Sequence, residues 1–335
     1  MLIKSRDGRP AEGQKLHTSY VWILIKLQDG RPAEGQKAAA RCAAAFFGKD
    51  IMKTAIITGA SRGVGRAVAE TLAGDGWRLI INCRSRFDLL EQEAEKLRSV
   101  TEVHTVHGPI TDDILAALLG TPGTKTLPIL TEEDLERTQP ASCTACEEKI
   151  DARTSHGPQD AFARRTRIET PEDALLLVNN AGISTFRLAQ DVSDDELDEM
   201  LDANVKDMFR LTRAVIPYLL RASEGRILNI SSVWGVVGAS MESVYSLTKG
   251  AVNAFTEALG KELAPNHIPV NAIAIGCVDT DMNGWMSAED RAQLEDEIPY
   301  GRMCTAAEVA DFVRLLAAAP TYLTGQIICF DGGWI

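Results

Sequence analysis

The chain has 335 residues, 45% of them hydrophobic, a length for one large or two ordinary domains with enough apolar material for a core. A formal net charge of −12 argues against nucleic acid and against an anionic membrane surface, both of which need a basic footprint. The apolar run VWILI at Val21–Ile25 is far too short to span a bilayer, and seven irregularly spaced cysteines do not form a disulfide framework, so a reducing cytoplasm is the expected compartment.

The nonapeptide DGRPAEGQK occurs twice, at Asp7–Lys15 and Asp29–Lys37. Two copies are too few to stack into a solenoid, which needs about three. Residues 1–51 are expected to be a flexible N-terminal extension, with Met52 as an alternative start.

From Met52 the pattern changes. The segment KTAIITGASRGVGRAVAETLAGDGW predicts a strand around Ala55–Ile57, a glycine-rich turn, and a helix with Val64, Val68 and Leu72 on one stripe. Gly59, Gly63 and Gly65 have the spacing G-x-x-x-G-x-G, which lets backbone approach a pyrophosphate at a helix N-terminus. The second strand lies within RLIINCRSR, Arg78–Arg86. An acid at its end would accept a ribose 2′-hydroxyl, but Arg84 and Ser85 stand there with Arg62 nearby, so NADP(H) is expected over NAD(H).

Two later apolar runs, ALLLVNNAGIS (Ala174–Ser184) and GRILNISS (Gly225–Ser232), read as buried parallel strands with amides and hydroxyls at their carboxyl ends. Ligands of open parallel sheets sit at those ends, so the three strand ends face one crevice. Downstream, YSLTK (Tyr245–Lys249) puts a phenol and an ammonium on one helix face.

TGASRGVG (Thr58–Gly65), NNAG (Asn179–Gly182), Asn204, Ser232 and YSLTK follow one another in order, with Ser232 thirteen positions before Tyr245 and Asn204 twenty-eight before Ser232. Together they resemble the short-chain dehydrogenase/reductase family from Met52 to the C-terminus, apart from one interior stretch. The resemblance implies an α/β fold over residues 52–335, a single Rossmann-like doubly wound parallel sheet flanked by helices, with an insertion at about 119–167. It implies NADP(H) held by Gly59, Ser61, Arg62, Gly63, Val64, Gly65, Arg84, Ser85, Asn180, Ala181, Gly182, Tyr245, Lys249, Val278 and Thr280. It also implies carbonyl reduction by Asn204, Ser232, Tyr245 and Lys249, with no metal. Tyr245 would be the general acid; moving a phenol from about 10 to about 7 takes on the order of 4 kcal/mol, which Lys249 and an oxidised nicotinamide would supply. Lys249 would also hold the ribose hydroxyls, Ser232 the substrate oxygen, and Asn204 a water relay to Lys249. Ser231 would point to the opposite face of its strand.

The implied substrate is a small or carrier-protein-bound carbonyl, handled by a homotetramer or homodimer with no nucleic-acid or membrane partner. The overall pattern resembles 3-oxoacyl-[acyl-carrier-protein] reductases. The stretch SSVWGVVGASMESVYSLTKG is also similar to 5-aminopentanone reductases of modified elongation factor P, where Glu242 could receive an amine. A non-catalytic NADP(H)-binding sensor or scaffold is the alternative of another class. Pro109 departs from the family's adenine-contacting Asp, and Ile275 from its proline. The insertion carries CTAC at Cys143–Cys146, which with His104 and His107 is too weak a pattern for zinc and reads as a surface excursion. Asn283–Met303 reads as a mobile helical lid.

Overall fold

A computed structural model of the chain describes residues 52–120, 174–284 and 286–335. The duplicated segment and nearly all of the expected insertion lie outside the described residues. Leu119, at the expected opening of that insertion, ends a helix capped by Thr111.

The chain alternates strand and helix: β1 (Lys53–Ile57), α1 (Gly63–Gly74), β2 (Arg78–Cys83), α2 (Phe87–Leu97), β3 (Val103–His107), α3 (Asp112–Leu119) and β4 (Ala174–Asn179). It continues with α4 (Asp194–Leu201), a π-helical turn at Asp202–Lys206, α5 (Asp207–Leu219), β5 (Glu224–Ser232), α6 (Ser243–Leu263), β6 (Val270–Ile275) and β7 (Val278–Asp279). Helix α7 (Ala288–Glu297), β8 (Cys304–Thr305), α8 (Ala306–Ala317) and β9 (Ile327–Phe330) complete it.

Seven strands form one sheet in the order β3-β2-β1-β4-β5-β6-β9. All neighbouring pairs are parallel, with Ile57 opposite Ile81 on one side and Val178 on the other. The strands are continuous apolar runs because helices cover both faces. Ile57, Leu79, Ile81, Leu176 and Val178 pack with Val68 and Leu72 of α1 and Val313 of α8. Their neighbours Ile56, Ile80, Leu175 and Leu177 point the other way, onto Leu211 and Val215 of α5 and Leu259 of α6. Strand order reverses between β1 and β4, which opens a crevice at their carboxyl ends.

Candidate active site

That crevice is a cleft of about 1350 Å³. Its walls come from the segments that follow the strands: Thr58–Val64 after β1, Asn82–Arg86 around the end of β2, Gly108–Asp112 after β3, Asn179–Phe186 after β4, Ser231–Trp234 after β5, and Ile275–Val278 after β6. Asn204, Ser232, Glu242, Tyr245, Lys249 and Thr280 line the same space.

Its β1 end is shaped by glycine. Gly59 and Gly63 adopt φ of +68° and +56°, a left-handed conformation that side chains resist. Gly65 serves differently: it does not line the cleft, and a Cβ there would lie 2.3 Å from the Gly59 carbonyl oxygen and 2.5 Å from Asn180 Nδ2. It lets α1 press against the loop. Arg62, at the N-cap of α1, offers no side-chain cap, and no acid stands in the first turn. Helices α3, α4, α7 and α8 are side-chain capped, by Thr111, Ser193, Ser287 and Thr305, whereas α2, α5 and α6 are not, so it is the glycine approach of Gly59 and Gly63 that sets the start of α1 apart. An uncapped, acid-free helix start facing a cleft through glycine suits an anionic diphosphate, so these residues fit a dinucleotide. Arg62, Arg84 and Ser85 stand exposed at this end, with Arg84 Nη1 3.7 Å from Glu199.

Asparagines tie the strand ends together. The Asn180 and Ala181 N–H groups both donate to Thr58 Oγ1 at 2.9 Å, and Asn180 Nδ2 donates to the Thr58 and Gly59 carbonyls at 2.9 and 3.2 Å. Asn179 Nδ2 donates to Asn229 Oδ1 at 2.9 Å, and Asn229 Nδ2 to Thr256 Oγ1 at 2.8 Å. This buried polar chain joins β4, β5 and α6 through hydrogen bonds on otherwise apolar strands. Asn82, not foreseen, accepts from the Gly59 N–H at 3.3 Å and donates to the Gly108 carbonyl at 2.8 Å. A polar residue inside the apolar run LIINC was its one signal.

At the β5 end, α6 presents Tyr245, Lys249 and Asn253 one turn apart. Lys249 Nζ lies 5.6 Å from the centre of the Tyr245 ring and donates to the Ile230 carbonyl at 2.9 Å. Ser231 Oγ turns to Asn253 Oδ1 at 2.6 Å, whereas Ser232 Oγ accepts from the Trp234 N–H at 3.2 Å and hydrogen-bonds the Tyr245 side chain. Burial pushes the Lys249 ammonium down to about 8. Burial pushes the Tyr245 hydroxyl above its ordinary value, the Glu242 carboxylate adds to the rise, and Ser232 opposes it. In the protein alone burial and Glu242 thus hold the phenol high, and the oxidised nicotinamide invoked in the expectation stands outside this balance. Desolvation penalises both charged forms.

Asn204 is 2% exposed and sits in the π-helical turn. Its Oδ1 accepts from the Ile183 N–H at 2.8 Å, while Nδ2 donates to the Ile183 carbonyl at 2.8 Å and to Thr248 Oγ1 at 3.1 Å. The side chain pins the loop following NNAG to α6. Gly182 is wedged beside it: a Cβ there would be 3.2 Å from Asn204 Oδ1 and 3.6 Å from Lys249 Nζ. Val278 is buried, and its carbonyl accepts from Asn283 Nδ2 at 2.7 Å. Thr280 reaches across to Gly63, where a Cβ would lie 3.5 Å from its methyl.

Glu242 is half-buried at the cleft wall, accepting from Ser184 Oγ at 2.9 Å, and burial raises its carboxyl. Trp334, another residue not foreseen, lines the cleft with its ring centre 4.8 Å from that of Trp234. His104 and His107 are engaged by Glu102 at 2.6 Å and Glu91 at 2.8 Å, and the CTAC stretch lies outside the described residues. Among the described residues no helix is long and apolar enough to cross a membrane.

A doubly wound parallel sheet with a glycine-rich helix start at its switch point and a Ser-Tyr-Lys cluster in the same cleft has the arrangement of a dinucleotide-binding oxidoreductase. The chain belongs to the short chain dehydrogenase family, whose pattern matches residues 53–117 and 149–291. It is 35% identical over 283 residues to the uncharacterized oxidoreductase YmfI of Bacillus subtilis (strain 168), covering 84% of this chain and 98% of that protein. It is 32% identical over 282 residues to the 3-oxoacyl-[acyl-carrier-protein] reductase FabG of Escherichia coli (strain K12), covering 84% and 96%. A solved short-chain dehydrogenase/reductase mutant from Serratia marcescens shares the fold, with a TM-score of 0.62 at 24% identity over 85% of this chain and 98% of that one. Membership implies a nicotinamide cofactor and chemistry between an alcohol and a carbonyl.

Proposed function

We propose that the protein is an NADPH-dependent reductase of carbonyl groups, with a 3-oxoacyl thioester as substrate. The observation that carries this reading is the convergence of Ser232, Tyr245 and Lys249 on the cleft that also holds the uncapped glycine loop. Arg62 and Arg84, with no acid at the end of β2, favour the 2′-phosphate of NADPH through charge-assisted hydrogen bonds. A nicotinamide held there would supply the hydride and, in its oxidised form, a positive charge favouring the Tyr245 phenolate. Ser232 would donate to the substrate oxygen and stabilise the charge developing on it. Tyr245 would deliver the proton. Its raised pKa keeps it loaded at neutral pH, and an alkoxide is basic enough to take that proton. Lys249 would orient the ribose, and Asn204 would fix the Gly182–Ile183 backbone beneath it. The identity to FabG supports a thioester substrate.

Glu242 favours a second reading, a 5-aminopentanone group on modified elongation factor P, because an acid at the cleft wall would receive its amine. NADPH consumption measured with acetoacetyl thioesters and with the adducted factor decides between them. Tight NADPH binding with no consumption of any carbonyl would instead make the protein a sensor or scaffold and end the reductase reading.

A further inference from the structure

Helix α7 has no buried side chain, yet Leu294 and Glu297 line the cleft. Its sequence, AEDRAQLEDE, carries too little apolar surface to dock by burial, and a helix of this length is marginal in water by itself. The capping box of Ser287 and Asp290 satisfies its N-terminus internally and ties it to nothing else. Ile298, 3% exposed, anchors the chain only after the helix has ended.

Between those points Arg291 grips Asp279 with two prongs, Nη1 donating to Oδ1 at 2.9 Å and Nη2 to Oδ2 at 2.8 Å. Its Nε donates to Glu295 at 3.1 Å, which fixes the guanidinium along the helix. Asp279 lies in β7 between Val278 and Thr280, both of which line the cleft, and β7 is itself paired to β8. The partner of α7 is therefore a held segment and not another loose loop. An ordinary exposed ion pair contributes little, but a forked Arg–carboxylate pair is the exception, and here no burial competes with it.

We propose that the Arg291–Asp279 pair is the clasp that seats α7 on the cleft, making both residues positioning residues for a substrate held against Leu294 and Glu297. Neither lines the cleft itself. The substrate part rests on the reductase reading above; the seating part does not.

Amide hydrogen exchange across 288–297 tests the seating directly, in Asp279→Asn, in Arg291→Gln and in the charge-swapped Asp279→Arg/Arg291→Asp protein. Exchange in the single variants is expected to rise about fivefold or more, with the rest of the sheet unchanged. The swap is expected to recover most of the protection. With acetoacetyl thioester, KM in the single variants should rise about fivefold and kcat change less than about twofold. Wild-type exchange in both single variants overturns the clasp. Raised exchange with unchanged KM overturns the positioning role. Absence of turnover in the wild type counts against the reductase reading alone, because the exchange result still decides the clasp.

Discussion

Lys249 Nζ donates to the carbonyl of Ile230 on strand β5 while lying 5.6 Å from the centre of the Tyr245 ring one helical turn away. The sheet thus fixes the amine, and the amine's helix fixes the phenol. The consequence is that one lysine is shared between the sheet and the cleft cluster.

Replacing Tyr245 with Phe removes one oxygen and leaves the ring beside Lys249. Turnover is expected to fall by about 10²–10⁴-fold, the usual range for a lost general acid. NADPH affinity, followed by fluorescence titration, should change by less than about threefold. Comparable losses of both would place Tyr245 in the frame and not in the chemistry.

Lys249 also makes stability depend on pH. Its folded value of about 8 lies below its unfolded 10.5, so between those limits the unfolded chain holds a proton that the folded protein lacks. Stability then rises with pH across the window, and the gap corresponds to about 3 kcal/mol. Tyr245, Cys277 and Cys304 are raised and work in the opposite sense at the alkaline end. Subtracting the profile of Lys249→Met isolates the lysine. Denaturant melts at pH 7.5 to 10 should show the wild type gaining on the variant, and parallel profiles would contradict the buried cation.

Gly65 and Gly63 separate packing from conformation. Gly65→Ala drives a methyl onto the Gly59 carbonyl, where backbone must move, and is expected to cost about 1–3 kcal/mol and to weaken NADPH binding. Gly63→Ala meets only the Thr280 side chain, at 3.5 and 3.6 Å, so its cost is that of a left-handed alanine, about 1–2 kcal/mol. Thermal unfolding with and without NADPH distinguishes them: added nucleotide should restore less of the lost stability in the Gly65 variant.

Arg84 tests cofactor choice. Its exposed contact with Glu199 at 3.7 Å contributes little to the fold, so Arg84→Ala should leave the melting temperature within about 2 °C. KM for NADPH should rise about tenfold or more, with NADH affected less than about twofold. Equal effects on both cofactors would remove the argument for a 2′-phosphate site.

Much of this arrangement is legible in the sequence because it depends on short-range rules. Continuous apolar runs such as ALLLVN mark strands covered on both faces, and a glycine cluster between such a run and a periodic helix marks the turn. Tyr245 and Lys249 share a face by helical spacing alone, and Asn253 extends the same period to Ser231. Asn82 is legible only as a polar residue out of place, since its partners Gly59 and Gly108 lie in the loops that follow β1 and β3. Trp334 has no local signal: the sheet edge at β9 and the turn held by Asp331 carry it back to Trp234. Electrostatics were the least legible of all. Sequence places a cation near the Tyr245 phenol but is silent on the burial that raises that phenol.

The π-helical turn at Asp202–Lys206 holds one residue more than a regular helix would fit in the same span. Deleting a single residue there would give a smoother helix and, at roughly 100° per residue, swing Asn204 away from Ile183 and Thr248. Regularity and competence are opposed at this point. A variant selected for heat resistance alone would be drawn toward closing the bulge, and would discard the joint that keeps the cleft in shape.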